Sequence, residues 1–409
     1  MEMVLEFLRD VLSQPALLIG IMSCIGLIAL KRPFHKIMTG TLKPILGYLM
    51  LAAGAGVIVS NLDPLGKMIE HGFHITGVVP NNEAIVAVAQ KVLGVETMSI
   101  LVVGLLMNLC IARFTKFKYV FLTGHHSLFM ACLMSAVLGT AGLSGMELIL
   151  VGGFLMGAWS AISPAIGQSY TSKVTDGDEI AIGHFGSLGY YLSAWVAKYV
   201  GKAEDSTEDI EIPEKWGFLR DSTLSTALTM IVFYLIAAFA AGSEFVATLS
   251  GDMSPYLYAV MSAMNFAVGV TIVYSGVRMI LGDLIPAFQG IATKIIPNAI
   301  PAVDCAVFFT YAPTAVVLGF LSSFIGGIIG MLILGAVGGV LIIPGLVPHF
   351  FCGATAGIYG NATGGRRGAA VGAFLNGLAI TFLPALALPV LGQLGFQNTT
   401  FGDADFAVM

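Results

Sequence analysis

The chain has 409 residues, 57% of them apolar and 11% charged, with a net charge of −5 and a mean hydropathy of +0.89. A soluble domain carries roughly 25% charge, so this composition excludes a cytosolic enzyme, a disordered chain and a secreted disulfide scaffold; the surface must face lipid. The acidic balance gives no reason to expect nucleic acid, and the 50 glycines exceed the roughly 7% of average proteins, as membrane bundles require where helices approach closely.

The opening MEMVLEFLRD is acidic and amphipathic and has no basic region. The first apolar run is therefore expected to be a membrane anchor rather than a cleaved signal. Apolar runs near the ~20 residues that cross a bilayer fall at about 14–30, 44–61, 97–113, 119–140, 144–166, 223–246, 257–282, 313–333, 338–360 and 367–394. Two further runs, 77–95 and 295–312, contain Pro80, Pro297 and Pro301 beside polar residues. Irregular backbone at membrane depth is tolerated only where protein or a water-filled cavity covers it, so both are read as re-entrant hairpins. The polar stretch 167–222 divides into a loop, an amphipathic piece (SLGYYLSAWVAKYVGK) and an acidic run from Glu204 to Glu214. That run reads as a solvated cytoplasmic face or as a docking surface for a cytosolic partner. The five cysteines, Cys24, Cys110, Cys132, Cys305 and Cys352, lie singly in apolar stretches. They make neither a disulfide framework nor a metal quartet, and no metal or cofactor is expected.

With the N-terminus outside, Arg9, Lys67 and Lys91 face out and the rest of the 19 Lys and Arg face in. This is the positive-inside bias expected of a correct layout. The re-entrant segments then enter from opposite faces.

Sliding the chain on itself by 222 residues superposes Gly47 on Gly269, Gly54 on Gly276, Ile58 on Ile280, Leu62 on Leu284 and Pro64 on Pro286. Ala84 meets Ala306, Gly104 meets Gly326 and Asn82 meets Asp304. The same shift superposes the two re-entrant segments. An odd number of crossings between the repeat starts predicts that the second copy is inverted, an architecture of transporters with broken helices meeting near the midplane. The repeats run over about 40–200 and 262–409. TDGDEIAIG at 175–183 resembles FGDADFAVM at 401–409, where the second copy stops and the first continues into another apolar segment.

Ionisable groups at membrane depth are costly and are functional candidates. Asp304 lies between NAIPAV and CAVFFTYAP, where a carboxylate needs a partner, a substrate or a proton; the bland alternative is a helix-capping aspartate. Asn82 and Glu83 hold the matching place in the first copy, or form a solvated loop tip. His125 and His126 follow Thr123–Gly124 in an apolar run, and His184 sits in IGHFG at the end of the polar loop. Neutral histidine donates and accepts, which suits a polyhydroxylated ligand. Gln168, Tyr170, Arg278 and Gln289 are weaker candidates. No Walker motif, dinucleotide fingerprint, HExxH or nucleophile elbow is present. The chemistry points to a small, hydrogen-bonding, water-soluble substrate, with too few fixed cations for a multiply charged anion.

At these motifs the chain resembles the membrane subunit (enzyme IIC) of the ascorbate-type bacterial phosphotransferase system, within the ascorbate/galactitol superfamily. The stretches that carry the likeness are GTLKPILGYLMLAAGAGV, FLTGHHSLF and KVTDGDEIAIGH, with two long blocks from YSGVRMILGD to TAVVLGF and from LIIPGLVPHF to GIYGN. The resemblance implies an all-α polytopic homodimer of the bacterial inner membrane, with ten to eleven transmembrane helices. It implies a scaffold domain and a substrate-holding core domain that moves elevator-fashion. A separate IIB subunit, charged on a cysteine and recharged by IIA, would phosphorylate the sugar; neither is expected within these 409 residues.

Position by position, the resemblance assigns ligand contact to Asp304, to His125 and the following His126, Ser127, Leu128 and Phe129, and to His184 and Phe185. In the first re-entrant segment it assigns Asn82 and Glu83. Phe129 and Phe185 stand where the family has polar amides, and Asn82–Glu83 where the ascorbate transporter has threonine and tyrosine. The expected substrate is ascorbate or a related small sugar, polyol or sugar acid. A proton-coupled carrier on the same fold, with Asp304 and Glu83 as proton carriers, is the alternative.

Overall fold

The computed structural model describes residues 10–11, 14–74, 77–78, 80, 82–177, 180–210, 222–393 and 400–409. Twelve α-helices and three short strands follow in chain order among them. Helices α1 (Pro15–Ala29), α2 (Phe34–Gly72) and α3 (Asn82–Phe114) come first. Strand β1 (Tyr119–Phe121) leads into α4 (Gly124–Thr140) and α5 (Gly145–Val174). Then come β2 (Ala181–Ile182), α6 (Ser187–Val200), α7 (Ser222–Ala241), α8 (Ser243–Ser250) and α9 (Pro255–Lys294). Strand β3 (Ile300–Val303), a 3₁₀ turn (Cys305–Thr310), α10 (Pro313–Ala336), α11 (Leu346–Gln393) and α12 (Ala404–Val408) complete the chain.

Six of the described helical stretches are long and apolar enough to cross a bilayer, or seven if α7 and α8, bent by 117°, form one span. A chain built this way is a multi-pass membrane protein. The sequence divides some of these stretches differently. The runs expected at 338–360 and 367–394 are arms of α11, which breaks at Gly364 and Gly365, the latter at φ +58, a conformation open to glycine. The run expected over 119–140 opens as strand β1, and its helix starts only at Gly124.

The two segments expected as hairpins are instead extended pieces that run into helices. From Asn82 onward the first is helical without a break through to Phe114. The second is β3 followed by the 3₁₀ turn. A strand that leads into a helix N-terminus satisfies its backbone without doubling back, provided that other strands cover it. Here they do. β3 is the middle of a parallel three-stranded sheet, with Tyr119 opposite Ile300 and Ala181 opposite Ala302. In the first segment Val78 pairs with Ile342 and Pro80 with Thr400, again in parallel.

Helices α1, α2, α7 and α9 pack as one set. The crossing of α2 with α9 depends on glycine. A Cβ on Gly47 would stand 2.9 Å from the Gly276 carbonyl oxygen, and one on Gly54 would stand 2.8 Å from that of Gly269. The reverse contacts are as close, 2.6 Å from Gly276 to Gly47 and 3.0 Å from Gly269 to Gly54. These four are among the glycines that the 222-residue offset superposes. Around this set, α3, α4 and α5 pack together, and α10 packs along α11 with α6 against it. The N-terminus of α10 is closed by Pro313 and by Glu208, whose carboxylate accepts from the Thr314 and Ala315 N–H groups and the Thr314 hydroxyl. This gives Glu208, in the acidic run, a local role in satisfying the free N–H groups of a helix start.

Candidate functional site

The site lies where the α2/α7 side meets the strand-and-turn segments. A cavity of about 1110 Å³ opens there, walled by Tyr48 and Leu51 of α2, Phe233 and Ala237 of α7, and Phe324 and Met331 of α10. Its polar wall is made by Asn82, His125, His126, His184, Asp304, Cys305, Cys352 and Asp403.

Asp304 ends β3 and starts the 3₁₀ turn. Its Oδ1 accepts the Ala306 N–H at 3.1 Å, and its Oδ2 lies 3.4 Å from His125 Nε2. His125 is in the first turn of α4, and its Nδ1 lies 3.3 Å from the Tyr48 hydroxyl. The carboxylate is 7% exposed, so it is both the capping aspartate and the polar floor of the cavity. Tyr48 belongs to the α2 set and His125 does not, so this hydrogen bond spans the seam between the two helix groups.

His184 Nδ1 accepts from the Gly186 backbone N–H at 3.1 Å and from the Tyr190 hydroxyl at 2.8 Å. A backbone N–H can only donate, so Nδ1 is unprotonated and Nε2 carries the proton. The His126 ring lies 3.8 Å, centroid to centroid, from that of His184. His126 is buried, and its Nδ1 has no hydrogen-bond partner.

Residues 400–409 contribute Asp403 to the same polar wall. The Asn82 amide donates to Asp403 Oδ2, Gly402 N–H donates to Asn82 Oδ1 at 2.9 Å, and the Cys352 thiol donates to Asp403 Oδ1 at 2.8 Å. Two trios, His184–Asp304–Cys305 and His184–Cys352–Asp403, gather ligand atoms within 4.8 Å of one another. In the second trio His184 Nδ1 already takes two donors, and each Asp403 oxygen accepts one hydrogen bond. These atoms are tied to one another and to the backbone by hydrogen bonds rather than standing free as a metal cradle.

Of the residues proposed from sequence, Asn82, His125, His126, Phe129, His184 and Asp304 come together on this wall. Ser127, Leu128 and Phe185 do not line it. The Ser127 hydroxyl turns back to the Thr123 carbonyl at 3.4 Å. Leu128 packs into the α3–α5 core, and fully buried Phe185 stacks on Phe121. The Glu83 side chain and that of Gln289 lie outside the described residues. Gln168 donates to the Ile180 carbonyl and Tyr170 accepts from Lys198, both away from the cavity. Tyr48, Cys352 and Asp403 were not singled out. Asp403 carried a signal, since it sits in the FGDADFAVM stretch that echoes TDGDEIAIG.

The fold and site together define a multi-pass, mostly helical membrane protein whose apolar body holds a large cavity with one wall of histidines and carboxylates. The family described as PTS system sugar-specific permease component, EIIC-GAT, matches residues 10–405, and the chain belongs to that family. A relative, the "Ascorbate-specific PTS system EIIC component" of Mycoplasma pneumoniae (strain ATCC 29342 / M129 / Subtype 1), is 28% identical over 417 residues. The alignment covers 87% of this chain, which spans 62% of that relative's length.

Proposed function

We propose that the chain is the membrane permease subunit of a phosphoenolpyruvate-dependent sugar phosphotransferase system. It takes ascorbate or a related small sugar, polyol or sugar acid inward for phosphorylation by a separate IIB subunit. The observation that carries the reading is the pairing of Asp304 with His125 on the polar wall of a large cavity, in a chain of the permease family. Substrate hydroxyls donate to Asp304 and accept from the histidine N–H groups. A site that hydrogen-bonds one hydroxyl pattern strongly rejects analogues lacking it.

In the transfer step the S–P bond to the IIB cysteine breaks and an O–P bond to the sugar forms. Asp304 accepts the hydroxyl proton as that oxygen attacks. The subunit works as a homodimer in the bacterial inner membrane with its N-terminus outside, and IIB is recharged through IIA. The reciprocal glycine contacts of α2 with α9, and the matching strand pairings around Asn82 and Asp304, support the inverted repeat. The separate packing of the α1, α2, α7 and α9 set supports a scaffold against which the rest slides.

The test is uptake of a labelled panel (pentoses, pentitols, hexitols and L-ascorbate) by cells expressing the chain. Removal of the phosphoryl donor should stop accumulation. Persistence without the donor, and loss when the proton gradient is collapsed, would instead select the ion-coupled carrier.

A further inference from the structure

The segment 400–409 is bolted to the same elements that carry His184. Asp405 N–H donates to the Phe185 carbonyl at 2.9 Å. Its carboxylate accepts from the Ser187 hydroxyl at 2.8 Å, the Leu188 N–H at 2.9 Å and the Trp159 indole N–H at 3.3 Å. Phe406 stacks on Phe401, with centroids 4.4 Å apart, and its ring lies nearly parallel to that of His126. Thr400 is paired with Pro80. With both ends held, the backbone between them fixes Asp403, which is 5% exposed and faces the cavity shared with Asp304.

We propose that Asp403 is a second substrate-contacting carboxylate of the site, oriented together with Asn82 by segment 400–409. The inference rests on the sugar-permease reading above.

Each carboxylate oxygen has about two acceptor positions. Cys352 takes one on Oδ1 and Asn82 takes one on Oδ2. His184 does not fill the rest. Its Nδ1 stands 3.9 Å away and, accepting from Gly186, has no proton to give. Acceptor capacity therefore remains on a buried carboxylate. A buried carboxylate with acceptor positions left over is satisfied by a further donor, and a sugar hydroxyl supplies one. Asp304 has a like arrangement, fixed by a backbone N–H and standing beside His125, and both carboxylates lie within 4.8 Å of a His184 nitrogen. Two carboxylates, each next to an imidazole and grouped around His184, present acceptors to neighbouring hydroxyls of one ligand. Asn82, whose amide is committed to Asp403 and Gly402, serves as a positioning residue.

The experiment uses the full chain purified in lipid nanodiscs and measures binding of each panel compound by ligand-induced thermal shift. Asp403→Asn keeps the shape and removes the charge. It should weaken binding about tenfold or more. The exchange Asn82→Asp with Asp403→Asn reverses the amide–carboxylate pair. It should recover the unliganded melting temperature without recovering affinity, because the carboxylate has moved. Wild-type affinity in Asp403→Asn, or in the exchange, would overturn the proposal and leave Asp403 as support for Asn82 only.

If Asp403→Asn does not reach the membrane, Asp403→Glu keeps the charge one methylene further out. It should change the order of preference between pentitols and hexitols, and an unchanged order overturns the proposal. A wild-type chain that binds no panel compound overturns it too. The permease reading is judged separately, by donor-dependent uptake of the wild-type chain.

Discussion

Asp304→Asn tests the floor of the cavity with the least disturbance of its shape. The carboxylate makes two contacts, Oδ1 with the Ala306 N–H at 3.1 Å and Oδ2 with His125 Nε2 at 3.4 Å. Asparagine keeps an oxygen to cap the 3₁₀ turn but puts an NH₂ group in place of the other oxygen. Facing His125, that group meets a donor with a donor until the imidazole tautomer changes and the Tyr48 contact changes with it. On the proposed assignment the substrate loses a charged acceptor, worth roughly 1.5–3 kcal/mol. At about 1.4 kcal/mol per factor of ten, binding falls about 10- to 150-fold. The assay is concentration-dependent uptake of the transported sugar, normalised to the amount of chain in the membrane. Asp304→Ala also removes the cap, at a further cost of about 1 kcal/mol in stability, so it should lower the amount of folded chain where Asp304→Asn does not. Wild-type apparent affinity in Asp304→Asn would refute the assignment of Asp304 to the substrate.

Three further outcomes follow from the packing. Tyr48→Phe removes one neutral hydrogen bond across the seam, to His125 Nδ1; uptake affinity should fall by no more than about tenfold, with membrane levels unchanged, and an effect as large as that of Asp304→Asn would contradict this. Gly54→Val brings side-chain carbon against the Gly269 carbonyl and the Val273 amide, an overpacking cost of about 1–3 kcal/mol. Gly276→Val, at the position that the 222-residue offset makes equivalent to Gly54 and packed on Gly47, should lower the melting temperature comparably, and a marked difference would argue against a symmetric crossing. Glu208→Ala frees the N-terminus of α10 and should cost about 1 kcal/mol of stability, read as a lower melting temperature without a change in substrate preference.

The site was legible where a residue contradicted its surroundings. Asp304 stands out as a carboxylate inside an apolar run, and His125, His126 and His184 are polar groups beside glycine in apolar context. The strands were not legible. YVF, AI and IPAV are as apolar as the helices around them, and a short apolar run does not reveal its period. They are strands because each pairs across a long sequence distance, Tyr119 with Ile300 and Ala181 with Ala302. For the same reason 77–95 read as a hairpin, although only its start is extended and the rest continues into α3. Ser127 and Phe185 followed in sequence from true wall residues, but one position along a helix turn or strand aims a side chain elsewhere, and both point into the core. Asp403 was missed because an aspartate in a polar stretch reads as solvated; its burial depends on Asp405 anchoring the segment to α6 and α5.

The most direct test of the proposed function reconstitutes the chain in vesicles with candidate IIA and IIB proteins and follows phosphorus label from phosphoenolpyruvate. The account predicts labelled sugar phosphate on the side holding the partners, formed from sugar supplied on the other side. Unmodified sugar accumulating with the relay absent would contradict it.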